Sequence, residues 1–542
     1  MVYSNHMYAL TFAKHKPKKT ISYAILVALL VAAAFAVRAF LVNDIPSGIY
    51  PDEAVNGTDA LTAWEAKDFR WFYENNNGRE GLYINLIAFS TAVFGNTVFA
   101  LKLWSILAGT LAVWGIYLLG KELFASHRAG IIAAFLMAFS FWAINFSRIG
   151  FRAILLPLIL TFSSYFLFRG IRTKKYLPFV WAGLIFGLGF HTYIAFRLAP
   201  AILIVVFLAL LISQQRVLRT YWKHGLVFLA AMFLTAAPII HDFIVYPEHV
   251  GSRSGSISVL SPDVNQGDFW GTVSETTTLS VAKYFAWGDQ NWRHNLPPFP
   301  ILDLITAVAF GIGIAWAIGK WISLLFLRFR HGVRDRNFLV LSFLLGGFAI
   351  MLAPEFLTAE GIPHALRAIG TQPFVFLLAA LPFLWLFRKA DDHSSRVWMP
   401  VLASGFFILV GIINLTLYFI VWGQSPEMRG AFDTTFTEQA RYIQTLPGDR
   451  NVYVLANGPG QDMTDGLPVS ADVIQYFTFG QKNVTFLEPE TQLETPATFI
   501  LMRHDDSVMQ NIENYFGSRA KRETIVSPRY PDISFEVVKI EN

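Results

Sequence analysis

"GLYINLIAFSTAVFGN", residues 81–96, decides the topology of this chain. The stretch is apolar, yet it is 16 residues long and carries Asn85 and Gly95, whereas a crossing helix needs about 20 apolar residues. Charge separates the two readings. The basic connectors are "GKELFASHR", "RGIRTKKY", "QQRVLRTYWKH", "LRFRHGVRDRN" and "FRKADDHSSR". If 81–96 crosses the membrane, these connectors face away from the basic N-terminus. If it lies in the interface, all of them join the N-terminus, and roughly twenty Lys and Arg collect on the cytoplasmic side. The sequence therefore predicts eleven crossings, near 20–42, 98–119, 129–146, 153–169, 176–191, 198–213, 225–241, 301–319, 338–355, 371–387 and 398–421, with the N-terminus inside. Residues 81–96 form an in-plane or half-inserted helix.

Composition requires a class of this kind. Of 542 residues 54% are hydrophobic and 15% charged, against roughly 25% charged in soluble domains. The 50 Phe and 15 Trp suit lipid-facing surfaces and interfacial belts. The absence of Cys excludes disulfides, thiolate catalysis and Cys-ligated metals. The net charge of +5 resides in short connectors between apolar segments, which argues against nucleic acid as a partner. The first apolar segment is too long for a cleaved signal, lacks a small-residue cleavage site and reads as a retained signal anchor.

This topology divides the chain into a cytoplasmic basic N-terminus (1–19), a membrane region (20–422) with a first outer loop at 43–97, and an extracytoplasmic region (423–542). In the last, "NVYVLAN", "NVTFLEP" and "TFILMR" read as strands, and "TEQARYIQTL" and "SVMQNIENYF" as helices. The fold class expected is a polytopic α-helical membrane protein with a small C-terminal α/β domain.

The polar residues that invite a chemical reading fall in the outward segments. "IYPDEAVNG" (49–57) sets Asp52 and Glu53 just beyond the first span. Acids after a Pro also suit an ordinary helix N-terminus, but the loop that follows returns to the membrane through Arg79 and Glu80 and would roof a cavity. "FSRIGFR" places Arg148 and Arg152 four apart, on one face if helical. Snorkelling anchors are the plain alternative; a lipid phosphate is the chemical one, because guanidinium forks match phosphate oxygens. His191, Tyr193 and Arg197 in "GFHTYIAFRLAP", and Glu360, His364 and Arg367 in "PEFLTAEGIPHALRAIGTQP", repeat the pattern, with interfacial anchoring or a satisfied loop as the plain alternatives. His191, His241, Asp242 and His364 do not fall at helical ligand spacing, and the first outer loop has no DxD, so no metal is expected. Neither a phosphate-binding glycine loop nor a GxSxG elbow is present.

The acid pair after the first span, the long first outer loop, "SRIGFR" after the third span and "PHALRAIG" before a late span resemble the GT-C superfamily of membrane glycosyltransferases. The likeness is to the dolichyl-phosphate-mannose-protein mannosyltransferase family and its aminoarabinose-transferase-like relatives, and it covers roughly residues 20–420. It implies inverting transfer of a sugar from a polyprenyl-phosphate donor to an acceptor hydroxyl of protein, lipid or glycan on the extracytoplasmic face. Asp52 would be the general base and Glu53 its helper. Arg148, Arg152, Arg197, His364 and Arg367 would hold the donor phosphate, and Arg79, Glu80, His191, Tyr193 and Glu360 the remaining substrate. No cofactor is implied. Two departures stand out: "GREGLY" (78–83) replaces the Pro pair common in the family, and the tryptophan-rich acceptor motif of oligosaccharyltransferases is absent. Two other readings are a transporter of an anionic glycolipid, for which broken helices and inverted repeats would be expected, and a membrane anchor for a C-terminal binding module.

Overall fold

The structure is a computed structural model that describes residues 20–251, 258–392, 398–487 and 491–541. The basic N-terminus at 1–19 and part of the connector 387–396 lie outside the described residues. The chain forms two compact units: residues 1–40, 105–147 and 152–418 make one, and residues 41–104, 148–151 and 419–542 the other.

Among the described residues, eight helices are long and apolar enough to cross a membrane: Val98–Phe124, Arg152–Thr173, Ile194–Ser213, Val217–Val245, Leu304–His331, Arg336–Phe356, Ile369–Lys389 and Val401–Trp422. The other three expected crossings are shorter apolar helices, at Tyr23–Ala39, His127–Phe139 and Tyr176–His191. The expected span 129–146 breaks at Ser140, whose backbone is extended (φ −67°, ψ 131°). The Phe141 amide, which a continuous helix would bond internally, instead donates to the Asn414 side chain at 2.8 Å.

Small residues set the helix spacing in the first unit. Gly183 and Gly187 lie one turn apart on Tyr176–Leu188. A Cβ at Gly183 would stand 2.2 Å from the Phe228 carbonyl, and one at Gly187 2.2 Å from that of Met232. Both neighbours belong to Val217–Val245, so the two backbones approach as only glycine permits. Leu304–His331 and Gln372–Asp392 meet in the same way at Gly313, where a Cβ would fall 2.1 Å from the Leu378 carbonyl.

The second unit holds helix α1 (Pro51–Ala66), a ribbon of β1 (Phe72–Tyr73) and β2 (Arg79–Glu80), helix α2 (Leu82–Phe94) and the C-terminal sheet. α2 is the helix within residues 81–96. Its 13 residues rise about 20 Å, short of the roughly 30 Å hydrocarbon core. It packs on α1, and its Tyr83, Ile84, Ile87 and Ala88 are fully buried. The sheet takes the three expected strands, now β3 (Asn451–Leu455), β4 (Val484–Phe486) and β5 (Ala497–Leu501). It adds a C-terminal hairpin, β6 (Ala520–Val526) and β7 (Ser534–Ile540), in the order β4-β3-β5-β7-β6. β3 runs parallel to β4 and β5, while β7 is antiparallel to β5 and β6. Tyr453, Phe499, Val538 and Ile540 close over Met509 and Phe516 of the helix Asp506–Phe516. Besides this small C-terminal sheet domain, the unit includes residues 41–104 and 148–151.

Candidate functional site

α1 starts where Pro51 supplies a helical φ and Tyr50 remains extended (ψ 147°). Asp52 and Glu53, adjacent in its first turn, receive different surroundings. Glu53 is fully buried. Its Oε1 accepts the Tyr50 amide at 3.2 Å, its Oε2 accepts the Gly150 amide at 2.6 Å, and Lys102 Nζ stands 3.8 Å from Oε2. Burial pushes the Glu53 carboxyl above its ordinary value, while Lys102 and the two amides pull it back. Asp52 is half-buried, and its Oδ1 accepts the Asn76 side-chain amide at 2.5 Å.

The next turn of α1 is tied to the ribbon. Arg79, buried at 2% exposure, donates to Asn56 Oδ1 at 2.8 Å and forms an ion pair with Asp59. Asn75 donates to Asp59 from the other side at 3.1 Å. Asn56 also donates to the Gly150 carbonyl at 2.9 Å, so both backbone groups of Gly150 are taken by α1. A Cβ on Gly150 would lie 3.1 Å from Glu53 Oε2, so the carboxylate would have to give by a few tenths of an ångström. Glu80 is buried beside Arg79 on β2.

The C-terminal region holds the rest of α1. Thr58 donates to Asp472 at 2.5 Å, and the ring of Tyr476 lies against Gly57. Burial, together with the negative charges of Asp59 and Asp465, pushes the Asp472 carboxyl up to about 7 against the pull of Thr58. Leading into α1, Ser47 bonds Thr434 at 2.6 Å and the Ile49 amide donates to Thr437 at 3.2 Å.

Arg148 belongs to this unit too. Its guanidinium is fully buried, donates to the Ile45 carbonyl at 2.7 Å and lies 5.1 Å from the centre of the Phe419 ring. Residues 147–151 are not helical, because the helix Phe141–Phe146 stops before them and a short turn starts at Arg152. The expected helical face shared by Arg148 and Arg152 therefore does not form; the Phe151 amide bonds the Ile149 carbonyl at 2.8 Å across Gly150, whose own backbone groups are held by α1.

The remaining predicted residues lie in the membrane-helix unit. Arg152, half-exposed, sits over Tyr193 at 5.7 Å. His191 is buried, with Nε2 2.8 Å from the Thr235 carbonyl. Arg197 donates to the Val250 carbonyl at 2.7 Å and stacks on Phe243. Arg367 folds onto Thr358 and Glu360 of its own turn, at 2.8 and 3.2 Å. His364 packs against His294, with ring centres 4.8 Å apart.

Sequence reasoning missed Lys102, Asn56, Asp59, Asn76, Gly150 and Asp472. Lys102 carried a legible signal, since a lysine just inside an apolar helix asks for a partner. The others are ordinary loop residues whose meaning comes from the fold.

The family described as dolichyl-phosphate-mannose-protein mannosyltransferase matches residues 82–241. ArnT from Cupriavidus metallidurans in the apo state has a similar structure, with 13% identity and a TM-score of 0.58 over 95% of this chain and 98% of that one. ArnT from the same organism bound to undecaprenyl phosphate gives 12% identity and a TM-score of 0.51 over 94% and 97%. No curated protein matches the chain by sequence. The chain is thus similar to the dolichyl-phosphate-mannose-protein mannosyltransferase family over residues 82–241 and shares the fold of ArnT, with membrane helices and a small C-terminal sheet domain.

Proposed function

We propose that the protein is an integral-membrane glycosyltransferase that moves a sugar from a polyprenyl-phosphate donor to an acceptor hydroxyl on the extracytoplasmic face, with inversion and with Asp52 as general base. The observation that carries this reading is the division of labour in the acid pair. Glu53 is enclosed by two amides and a lysine, whereas Asp52 keeps a partly exposed carboxylate positioned by Asn76. A base must reach the proton it removes, and Asp52 is the member of the pair that can. Glu53 then acts as the anchor of α1. Support for the donor class comes from ArnT, a protein of similar fold described with undecaprenyl phosphate bound.

In an inverting displacement, the acceptor oxygen attacks the anomeric carbon as the bond to the lipid phosphate breaks. The acceptor proton goes to Asp52, and the leaving lipid phosphate takes the electron pair. Fixed guanidinium groups stabilise that growing charge. Arg152 and Arg197, both partly exposed, are assigned this role, with Arg367 as a further cation. Arg148, buried on Ile45 and Phe419, holds the loop leading into α1. Positive-inside sidedness puts 43–97 and 423–542 outside the cytoplasm.

The test is to supply purified protein with a labelled polyprenyl-phosphate sugar and a mixed pool of envelope acceptors. Release of free lipid phosphate with labelled product, lost in Asp52→Asn, supports the assignment. Unchanged donor that has only crossed the bilayer means transport, and full activity of Asp52→Asn removes Asp52 from the chemistry.

A further inference from the structure

Two loops of the membrane-helix unit bring Asp289, His294 and His364 together, with a ligating atom from each within 4.8 Å of the other two. Asp289 and His294 are 2% and 4% exposed. The loop that carries them is set by its own hydrogen bonds. Asp289 Oδ1 accepts the Asn291 amide at 2.8 Å, and Asn295 donates to the carbonyls of Asp289 and Phe299 at 3.1 and 2.7 Å. Asp289 Oδ2 accepts the Ala365 amide at 2.7 Å and pairs with His294 Nδ1 at 2.9 Å, which joins the second loop to the first. The His364 amide donates to Glu355 Oε1 at 2.9 Å, fixing that residue as well.

The imidazole of His364 is the unusual member. Its Nδ1 is buried and has no hydrogen-bond partner, and a buried polar atom left unmet is destabilising. Of the cations near His364, Lys283 forms an ion pair with Glu355 and Arg367 one with Glu360, while Arg293 lies in the loop that carries His294. Two imidazoles and one carboxylate on pre-set loops, with a carboxylate oxygen already orienting one imidazole, are the three-residue ligand pattern of a Zn²⁺-type ion.

We propose that Asp289, His294 and His364 form a binding site for a divalent transition metal of the Zn²⁺ class, with one ring nitrogen from each histidine and a carboxylate oxygen as ligands. Histidines distant in sequence need no helical spacing when two loops deliver them, so the spacing argument against a metal does not reach this site. The proposal is independent of Asp52 and of sugar transfer.

Full-length protein in detergent, stripped with chelator, is titrated with Co²⁺ and followed by visible absorption. The expected result is a d–d band saturating at about one equivalent, absent in His294→Gln and His364→Gln. A second cluster, His504, Asp506 and Glu536, is largely exposed and serves as control: His504→Ala keeps the band. In parallel, Zn²⁺ raises the melting temperature of wild type and leaves that of His364→Gln unchanged. That variant loses no hydrogen bond at Nδ1, so its metal-free melting temperature stays near that of wild type. A band that survives in His364→Gln, a band lost in His504→Ala, or no band at all overturns the site. Metal binding is the only readout, so failure here leaves the transfer reading untouched.

Discussion

The Gly150 amide and the Glu53 carboxylate, 97 positions apart in the chain, share a hydrogen bond of 2.6 Å at the centre of the acid-bearing unit. Through it, the turn that follows the third expected span fixes the first turn of α1 and, with it, the direction of Asp52. Adding bulk at Gly150 acts directly on this bond. Gly150→Ala is expected to cost about 1 kcal/mol and Gly150→Val about 3 kcal/mol. Melting in detergent reads the loss, and transfer activity should fall in the same order.

Asp52→Asn keeps the size of the side chain and an oxygen for Asn76, but cannot take a proton. Transfer should fall by at least about 100-fold, the lower end of what a positioned base contributes, at unchanged melting temperature. Donor affinity, measured separately by equilibrium binding, should stay within about twofold.

Glu53 and Lys102 form a buried pair at 3.8 Å. Removing one partner leaves a charge without compensation, so Glu53→Gln or Lys102→Met alone should destabilise the unit by about 3–5 kcal/mol. The double variant should recover a large part of that. A double variant no better than the worse single would show that the two groups do not act as a pair.

Asp472 gives a pH signature. Its folded value of about 7 lies above the ordinary 3.8, so the folded state holds the proton more tightly than the unfolded chain. Stability from this group is full below about pH 4, falls as pH rises to about 7, and is level beyond. The change is on the order of 4 kcal/mol. Asp472→Asn should remove this slope, so its melting temperature relative to wild type should climb between pH 5 and pH 8. Parallel curves for the two proteins would contradict the assignment.

Truncation after residue 422 removes Thr434, Thr437 and Asp472, which hold both ends of the segment 47–58. The shortened protein should insert in the membrane and lack transfer. Retained activity would mean that α1 is positioned without the tail.

Much of this architecture was readable from residue patterns. Long apolar runs and basic connectors marked the membrane helices, and 81–96 was legible as a short apolar helix. Alternation marked β3 and β5. The hairpin β6–β7 was not singled out, because charged residues interrupt "KRETIV" and β6 joins the sheet only through β7, which pairs with β5. The acids were legible as a pair, but their separation into one enclosed and one accessible group was not. That difference is made by Gly150 and Lys102, which are 97 and 49 positions from Glu53. Likewise, Arg148 and Arg152 look equivalent in "SRIGFR", and only the non-helical turn between them, tied to α1 at Gly150, assigns the two to different surroundings.

The tethers of α1 to Thr437 and Asp472 bear on biogenesis. A ribosome that has just delivered α1 to the membrane has most of the chain still to make before those partners exist. The segment that carries Asp52 therefore gains these tethers only after residue 472 has been made, and a chain terminated before Thr437 lacks both of them.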